Sequence, residues 1–213
     1  MEELNSSELG TQDYWKETYK KEINNYDNNG DPGEIWFGEC STFKVIHYIA
    51  DSDRPKTSKI IDLGCGNGFT LTELAGCNFT DLLGVDYCEE AITLSKRLSD
   101  VLYPNIKYKV LDITKDHVSY LGKFDIVHDK GTYDAICLNP DDPKKQREAY
   151  INNVLTLMED DGLFIITSCN WSEMELLDQF EEKMKLKHVI PMPLYVFGGK
   201  AGTVVSSLVF EKK

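Results

Sequence analysis

No Cys-x-x-Cys pair occurs in this sequence, and none of its histidines stands at ligand spacing from a cysteine, so neither a structural zinc site nor a redox motif is indicated. The six cysteines, at 40, 65, 77, 88, 137 and 169, read as reduced structural thiols, and no metal is expected. Basic residues are in deficit: 23 Lys and Arg against 36 Asp and Glu leave a net charge of -13. That works against a nucleic-acid partner, which is held through neutralised phosphates, and suits a basic protein surface. Long apolar runs are missing too. Stretches such as 162–166 and 190–197 fall far short of the roughly 20 residues a membrane span needs. The acidic, polar start Met1-Glu2-Glu3-Leu4-Asn5 has neither the basic end nor the apolar stretch of a secretory leader, which points to the cytoplasm, with the nucleus as a second place. Repeats and low-complexity segments are also lacking.

What is present is the balance of a globular protein, 41% hydrophobic and 28% charged, in a length of 213 residues that fills one core. A single domain is expected, acting as a monomer. From residue 59 onward, β-rich runs alternate with helical spacing: strands over 59–63, 81–86, 106–111, 124–129 and 163–167, with helices over 64–74, 89–102 and 144–158 between them. That alternation means parallel strands joined by crossover helices. Ser172 followed by Glu175 opens a further helix with a capping box. The last two strand-like runs, 188–196 and 203–210, leave no room for a crossover helix and must pair antiparallel. Ahead of this core (56–213), residues 1–55 form an arm with helices over 12–22 and 41–49, separated by the turn 28–33, and fold over the core's mouth.

The chemistry concentrates at Asp62-Leu63-Gly64-Cys65-Gly66-Asn67-Gly68, a strand end, a glycine turn and a helix start. Glycines let the backbone turn tightly and approach a ligand, and the helix start offers unpaired N–H groups to a carboxylate. The spacing G-x-G-x-G differs from the G-x-G-x-x-G of nicotinamide and flavin binders. With Asp62 before it and Asp86 ending the next strand, it resembles motif I of class I methyltransferases. The strand layout resembles the same fold: an α/β, Rossmann-like, seven-stranded and mostly parallel sheet with a C-terminal antiparallel hairpin and helices on both faces. The resemblance implies S-adenosyl-L-methionine as cofactor, held by Asp62, Gly64, Cys65, Gly66, Gly68 and Tyr87, with Asp86 at the ribose and Asp112 and Ile113 bracketing the adenine. It places Asp129 beside the transferred methyl.

A narrower resemblance rests on Leu9-Gly10-Thr11, Tyr14-Trp15, residues 30–39 around Trp36, Asp129-Lys130-Gly131-Thr132-Tyr133-Asp134-Ala135, Asn170-Trp171 and Phe197-Gly198-Gly199. Together they are similar to the lysine methyltransferases of translation elongation factor 1-alpha. The Asn/Asp-Pro-Pro-Tyr/Phe run of base and glutamine methyltransferases is missing at 129–132. The resemblance implies a protein-lysine N-methyltransferase with elongation factor 1-alpha as substrate. Asp129, Tyr133 and Trp36 are the expected catalytic residues, Trp36 and Asp129 also touching cofactor, and Glu34, Glu39, Trp171 and Phe197 the expected substrate channel. A lysine acceptor must shed its proton before transfer, which acidic and aromatic side chains suit. The alternatives are a small-molecule or protein N-terminal methyltransferase on the same fold, and a cofactor-binding scaffold without turnover.

Overall fold

A computed structural model describes residues 3–197 and 200–213, without the side chains of 194–201. Its first helix, α1 (Gln12–Asn29), is capped by the Thr11 hydroxyl at its start and ends on Gly30 in the left-handed region, seven residues later than helical spacing alone suggests. α2 (Gly38–Ala50) follows. The core then alternates as β1 (Lys59–Leu63), α3 (Phe69–Gly76), β2 (Asp81–Asp86), α4 (Glu89–Ser99), β3 (Lys107–Val110), β4 (Phe124–Lys130), α5 (Thr132–Cys137), α6 (Pro143–Leu157) and β5 (Met158–Ser168). Helix α7 (Glu173–Phe180) opens on the capping box of Ser172 and Glu175, and β6 (Met184–Val189), β7 (Leu194–Phe197), β8 (Lys200–Thr203) and β9 (Ser206–Lys212) complete the chain.

Seven strands make one sheet in the order β3-β2-β1-β4-β5-β9-β6. The pairs from β3 to β5 are parallel, and β9 runs antiparallel to both β5 and β6. The connection from β3 back to β4 reverses the direction in which strands are added, so a crevice opens over the carboxyl ends of β1 and β4. One face of the sheet carries α5, α6 and α7, packed through Tyr133, Tyr150, Phe164 and Phe180. The other carries α2 and α3, with Val45, Ile46 and Ile49 of α2 as buried as the sheet residues beneath them. α1 lies against α4 through Tyr19, Cys88, Ala91 and Leu94.

Two sequence expectations change. The run 188–196 is divided between β6 and the separate β7–β8 hairpin, because Pro191 and Pro193 have no N–H to give a ladder. The antiparallel pairing itself is present in two stretches, with His188 opposite Val209 between β6 and β9 and Leu194 opposite Thr203 between β7 and β8. α4 ends at Ser99, and Val101, which helical spacing assigns to the buried face, is 84% exposed. The following Pro104 turns the chain out of the helix.

Candidate active site

β1 ends in a turn whose three glycines all have positive φ: 68° at Gly64, 56° at Gly66 and 79° at Gly68. A Cβ on Gly64 would overlap the Thr132 hydroxyl, and one on Gly66 would fall 2.6 Å from the Tyr19 hydroxyl, so only glycine fits. The turn is pinned to β2: the N–H groups of Gly64 and Cys65 donate to the Val85 carbonyl at 2.7 and 3.0 Å. The N–H of Gly66 donates to Asp86 Oδ2 at 3.1 Å, and Cys88 N–H to Asp86 Oδ1 at 2.9 Å. Burial pushes the Asp86 carboxyl up to about 6 against the pull of these amides.

A cavity of about 210 Å³ opens above this turn and extends across the carboxyl ends of the strands. Gly64, Cys65, Gly66, Asp86 and Tyr87 wall one side, and Asp112 and Ile113 continue it beyond β3. Asp112 accepts from the Thr114 N–H at 2.9 Å and pairs with Lys115 at 2.9 Å. Burial acts to raise its pKa, but Thr114 and Lys115 together hold it below the usual value. The N-terminal segment closes the cavity from above. Gln12 Nε2 donates to the Tyr87 carbonyl at 3.2 Å, Asn139 Nδ2 donates to the Gly10 carbonyl at 2.6 Å, and Trp36 meets Trp15 edge-on with ring centroids 5.0 Å apart.

The residues expected from sequence divide into two sets. Trp36, Glu34, Gly64, Cys65, Gly66, Asp86, Tyr87, Asp112 and Ile113 all reach the cavity wall. Asp62, Gly68, Asp129, Tyr133, Trp171 and Glu39 do not. Asp62 lies behind the turn, its Oδ1 2.7 Å from His128 Nδ1 in a fully buried pair. Gly68 sits at the start of α3. Asp129 is turned into the core beneath α5 and α6, where it accepts from the N–H groups of Thr132 and Tyr133, each at 3.1 Å, and from the Tyr150 hydroxyl. Burial pushes its carboxyl up to about 8. The Tyr133 hydroxyl donates to Gln179, and both Tyr133 and Trp171 belong to the core under α5 and α7. Glu39 is exposed in the first turn of α2. The Phe197 side chain lies outside the described residues.

Sequence reasoning did not single out the residues that form the wall at the β4–β5 end: Lys130, Thr132, Asp134, Cys169 and Asn170. Lys130 donates from Nζ to the Trp36 carbonyl at 3.2 Å and so ties the arm to the sheet, while burial lowers its pKa. Asp134 accepts from the Ser168 hydroxyl and from the Cys169 N–H. The available signal was the run 129–135 itself, in which strand alternation sets Lys130 on the face opposite Asp129.

A family model described as a methyltransferase domain matches residues 55–208. The chain is 40% identical to mouse EEF1A lysine methyltransferase 2 over 208 residues, which are 97% of this chain and 85% of that protein. The chain belongs to the methyltransferase-domain family, among the EEF1A lysine methyltransferase 2 proteins. The fission-yeast protein-lysine N-methyltransferase efm4 is 33% identical over 99% of this chain and 97% of its own length. Among solved structures, an S-adenosylmethionine-dependent methyltransferase from Anabaena variabilis superposes with a TM-score of 0.65 at 15% identity, covering 100% of this chain and 98% of that one. A TehB-like methyltransferase from Corynebacterium glutamicum gives 0.62 at 22% identity, covering 93% and 98%. At those identities the likeness is one of fold.

Proposed function

We propose that this methyltransferase-family chain is an S-adenosyl-L-methionine-dependent protein-lysine N-methyltransferase whose substrate is a lysine of translation elongation factor 1-alpha, acting as a monomer in the cytoplasm. The observation that carries the reading is a cavity built on the glycine turn and Asp86, in a chain that follows EEF1A lysine methyltransferase 2 over 97% of its length.

The donor set fits the cofactor. Asp86 and Asp112 are acceptors for ribose hydroxyls and an exocyclic amine, and Leu111 and Ile113 give a flat ring apolar walls. The left-handed backbone at Gly64 and Gly66 lets the main chain approach the amino-acid end closely. When bound, the cofactor supplies an already activated methyl group on a sulfonium. The protein's remaining work is to align an amine, remove its proton and keep water out. Trp15, Trp36, Phe37 and Glu34 line the cavity from the arm, and Glu34 adds a carboxylate suited to a cationic lysine side chain. A net charge of -13 favours a basic protein surface over a nucleic acid.

Incubating the enzyme with labelled S-adenosylmethionine and an extract of cells lacking it tests the reading. The expected outcome is label on lysine in one protein band, that of elongation factor 1-alpha. Label in low-molecular-weight products, with none in protein, would replace the substrate class.

A further inference from the structure

The sheet divides the cavity wall into two parts. One is built at the ends of β1 and β2 and beyond β3, by the glycine turn, Asp86, Tyr87 and Asp112. The other is built at the end of β4, on α5 and in the turn after β5, by Lys130, Thr132, Asp134, Cys169 and Asn170. If the protein is a lysine methyltransferase, on which the role assigned to Asp134 rests, the first part takes the cofactor and the second is left for the acceptor amine.

Among the described residues, four carboxylates reach this wall, Glu34, Asp86, Asp112 and Asp134. Asp86 and Asp112 belong to the first part, and Glu34 is carried by the arm. Asp134 is therefore the carboxylate that the sheet and α5 place at the β4–β5 end. It is 4% exposed, in the first turn of α5. Its Oδ1 accepts from the Ser168 hydroxyl at 2.5 Å and its Oδ2 from the Cys169 N–H at 2.8 Å. A carboxylate has about four acceptor positions, so these bonds fix its orientation and leave capacity for a donor from the cavity. Asp129 differs on each count, since it lies off the wall and two backbone amides and the Tyr150 hydroxyl occupy it. Burial also raises the Asp134 carboxyl above its ordinary value, against the opposing pull of Ser168 and Cys169, which makes it a better proton acceptor than a surface carboxylate.

We propose that Asp134 receives the ammonium of the substrate lysine at the β4–β5 end of the cavity, orients it toward the methyl donor and takes its proton. The ammonium gives one proton to the Asp134 carboxylate. The freed nitrogen lone pair forms the N–C bond, the C–S bond breaks with its electron pair remaining on sulfur, and the proton on Asp134 then passes to solvent. Lys130 reaches the same wall from β4, with its Nζ held by the Trp36 carbonyl. The other ionisable groups around Asp134 are Asp129 from β4, Cys137 on its own helix with Arg147 of α6 behind it, Cys169 after β5, and Glu34 across the cavity.

The test compares wild type, Asp134→Asn and Ser168→Ala, using purified unmethylated elongation factor 1-alpha. Three quantities are read: cofactor affinity by calorimetry, thermal midpoint, and kcat/KM from roughly pH 6 to roughly pH 10. Asp134→Asn is expected to keep cofactor affinity and thermal midpoint within about twofold and a few degrees, and to lose on the order of 100-fold in kcat/KM. Its profile should shift upward, recovering as pH approaches the ordinary lysine pKa of about 10.4. Ser168→Ala keeps the carboxylate but removes one bond to it and the acceptor of the Asn170 and Trp171 N–H groups, so it should lose far less in kcat/KM than Asp134→Asn, with its main cost in the thermal midpoint. An Asp134→Asn enzyme with wild-type rate and profile overturns the proposal, and so do equal losses of folding and cofactor binding in both variants, which would mark a turn brace. If Asp134→Asn fails to fold, Asp134→Ser, which also lacks the carboxylate, decides: transfer lost at wild-type cofactor affinity supports the role, and wild-type transfer overturns it. A wild-type enzyme that binds cofactor but methylates no protein lysine removes the substrate reading, and this assignment with it; an active wild type beside an unaffected variant removes only the assignment.

Discussion

Asp86 and Asp129 are both buried carboxylates at strand ends, yet their surroundings give them different work. Asp86 stands on the cavity wall with backbone amides on each oxygen. Asp86→Ala is expected to weaken cofactor binding about tenfold or more, the equivalent of roughly 1.5–3 kcal/mol for a charge-assisted bond, with circular dichroism unchanged. Binding at wild-type affinity would contradict the assignment. Asp129 is fully buried off the wall, and its folded pKa of about 8 lies above the ordinary value of 3.8. The folded protein therefore holds this proton more tightly than the unfolded chain does. The contribution to stability is complete below about pH 4 and is lost as pH rises through about 8. Asp129→Asn, neutral throughout, should flatten the decline in thermal midpoint across that window, and Asp129→Ala should destabilise by roughly 1–3 kcal/mol by stranding its donors. Identical pH dependence in wild type and Asp129→Asn would contradict the burial argument.

At the scale of elements, the N-terminal segment is as much part of the cavity as the glycine turn. Gly10 passes so close to the Leu138 backbone that an added Cβ would overlap it, and its carbonyl is held by Asn139. Gly10→Ala should push the strap off α5 and weaken cofactor affinity about tenfold, in keeping with an overpacking cost of roughly 1–3 kcal/mol. Titration of the fluorescence of Trp15 and Trp36 with cofactor measures it, and unchanged affinity would show that the strap does not close the site. The strands, crossover helices and capping box were legible in the sequence because their signals are local: period, glycine turn and cap. The separation of the β7–β8 hairpin from the main sheet was not, since a continuous β-rich run conceals a break made by Pro191 and Pro193. The choice between Asp129 and Asp134 was equally hidden. Both lie within one motif, and which of them reaches the cavity depends on how β4 meets α5, a tertiary fact.

For the whole molecule, the acidic balance that the composition shows at once is the property a partner meets first. With a net charge of -13, encounter with a lysine-bearing basic surface should be steered electrostatically. Raising the salt concentration from about 0.05 to about 0.5 M is expected to lower kcat/KM for the protein substrate severalfold through screening, while cofactor affinity changes little. Salt-independent kcat/KM would remove charge from the recognition. No helix among the described residues is long and apolar enough to cross a membrane. Transfer of a methyl group from this cavity to a protein lysine is read by incubating purified elongation factor 1-alpha with S-adenosylmethionine and either wild type or Asp86→Ala, followed by tandem mass spectrometry. Wild type should methylate a lysine and the variant should nearly lose that transfer; an unmodified factor, with cofactor bound, would contradict the assignment.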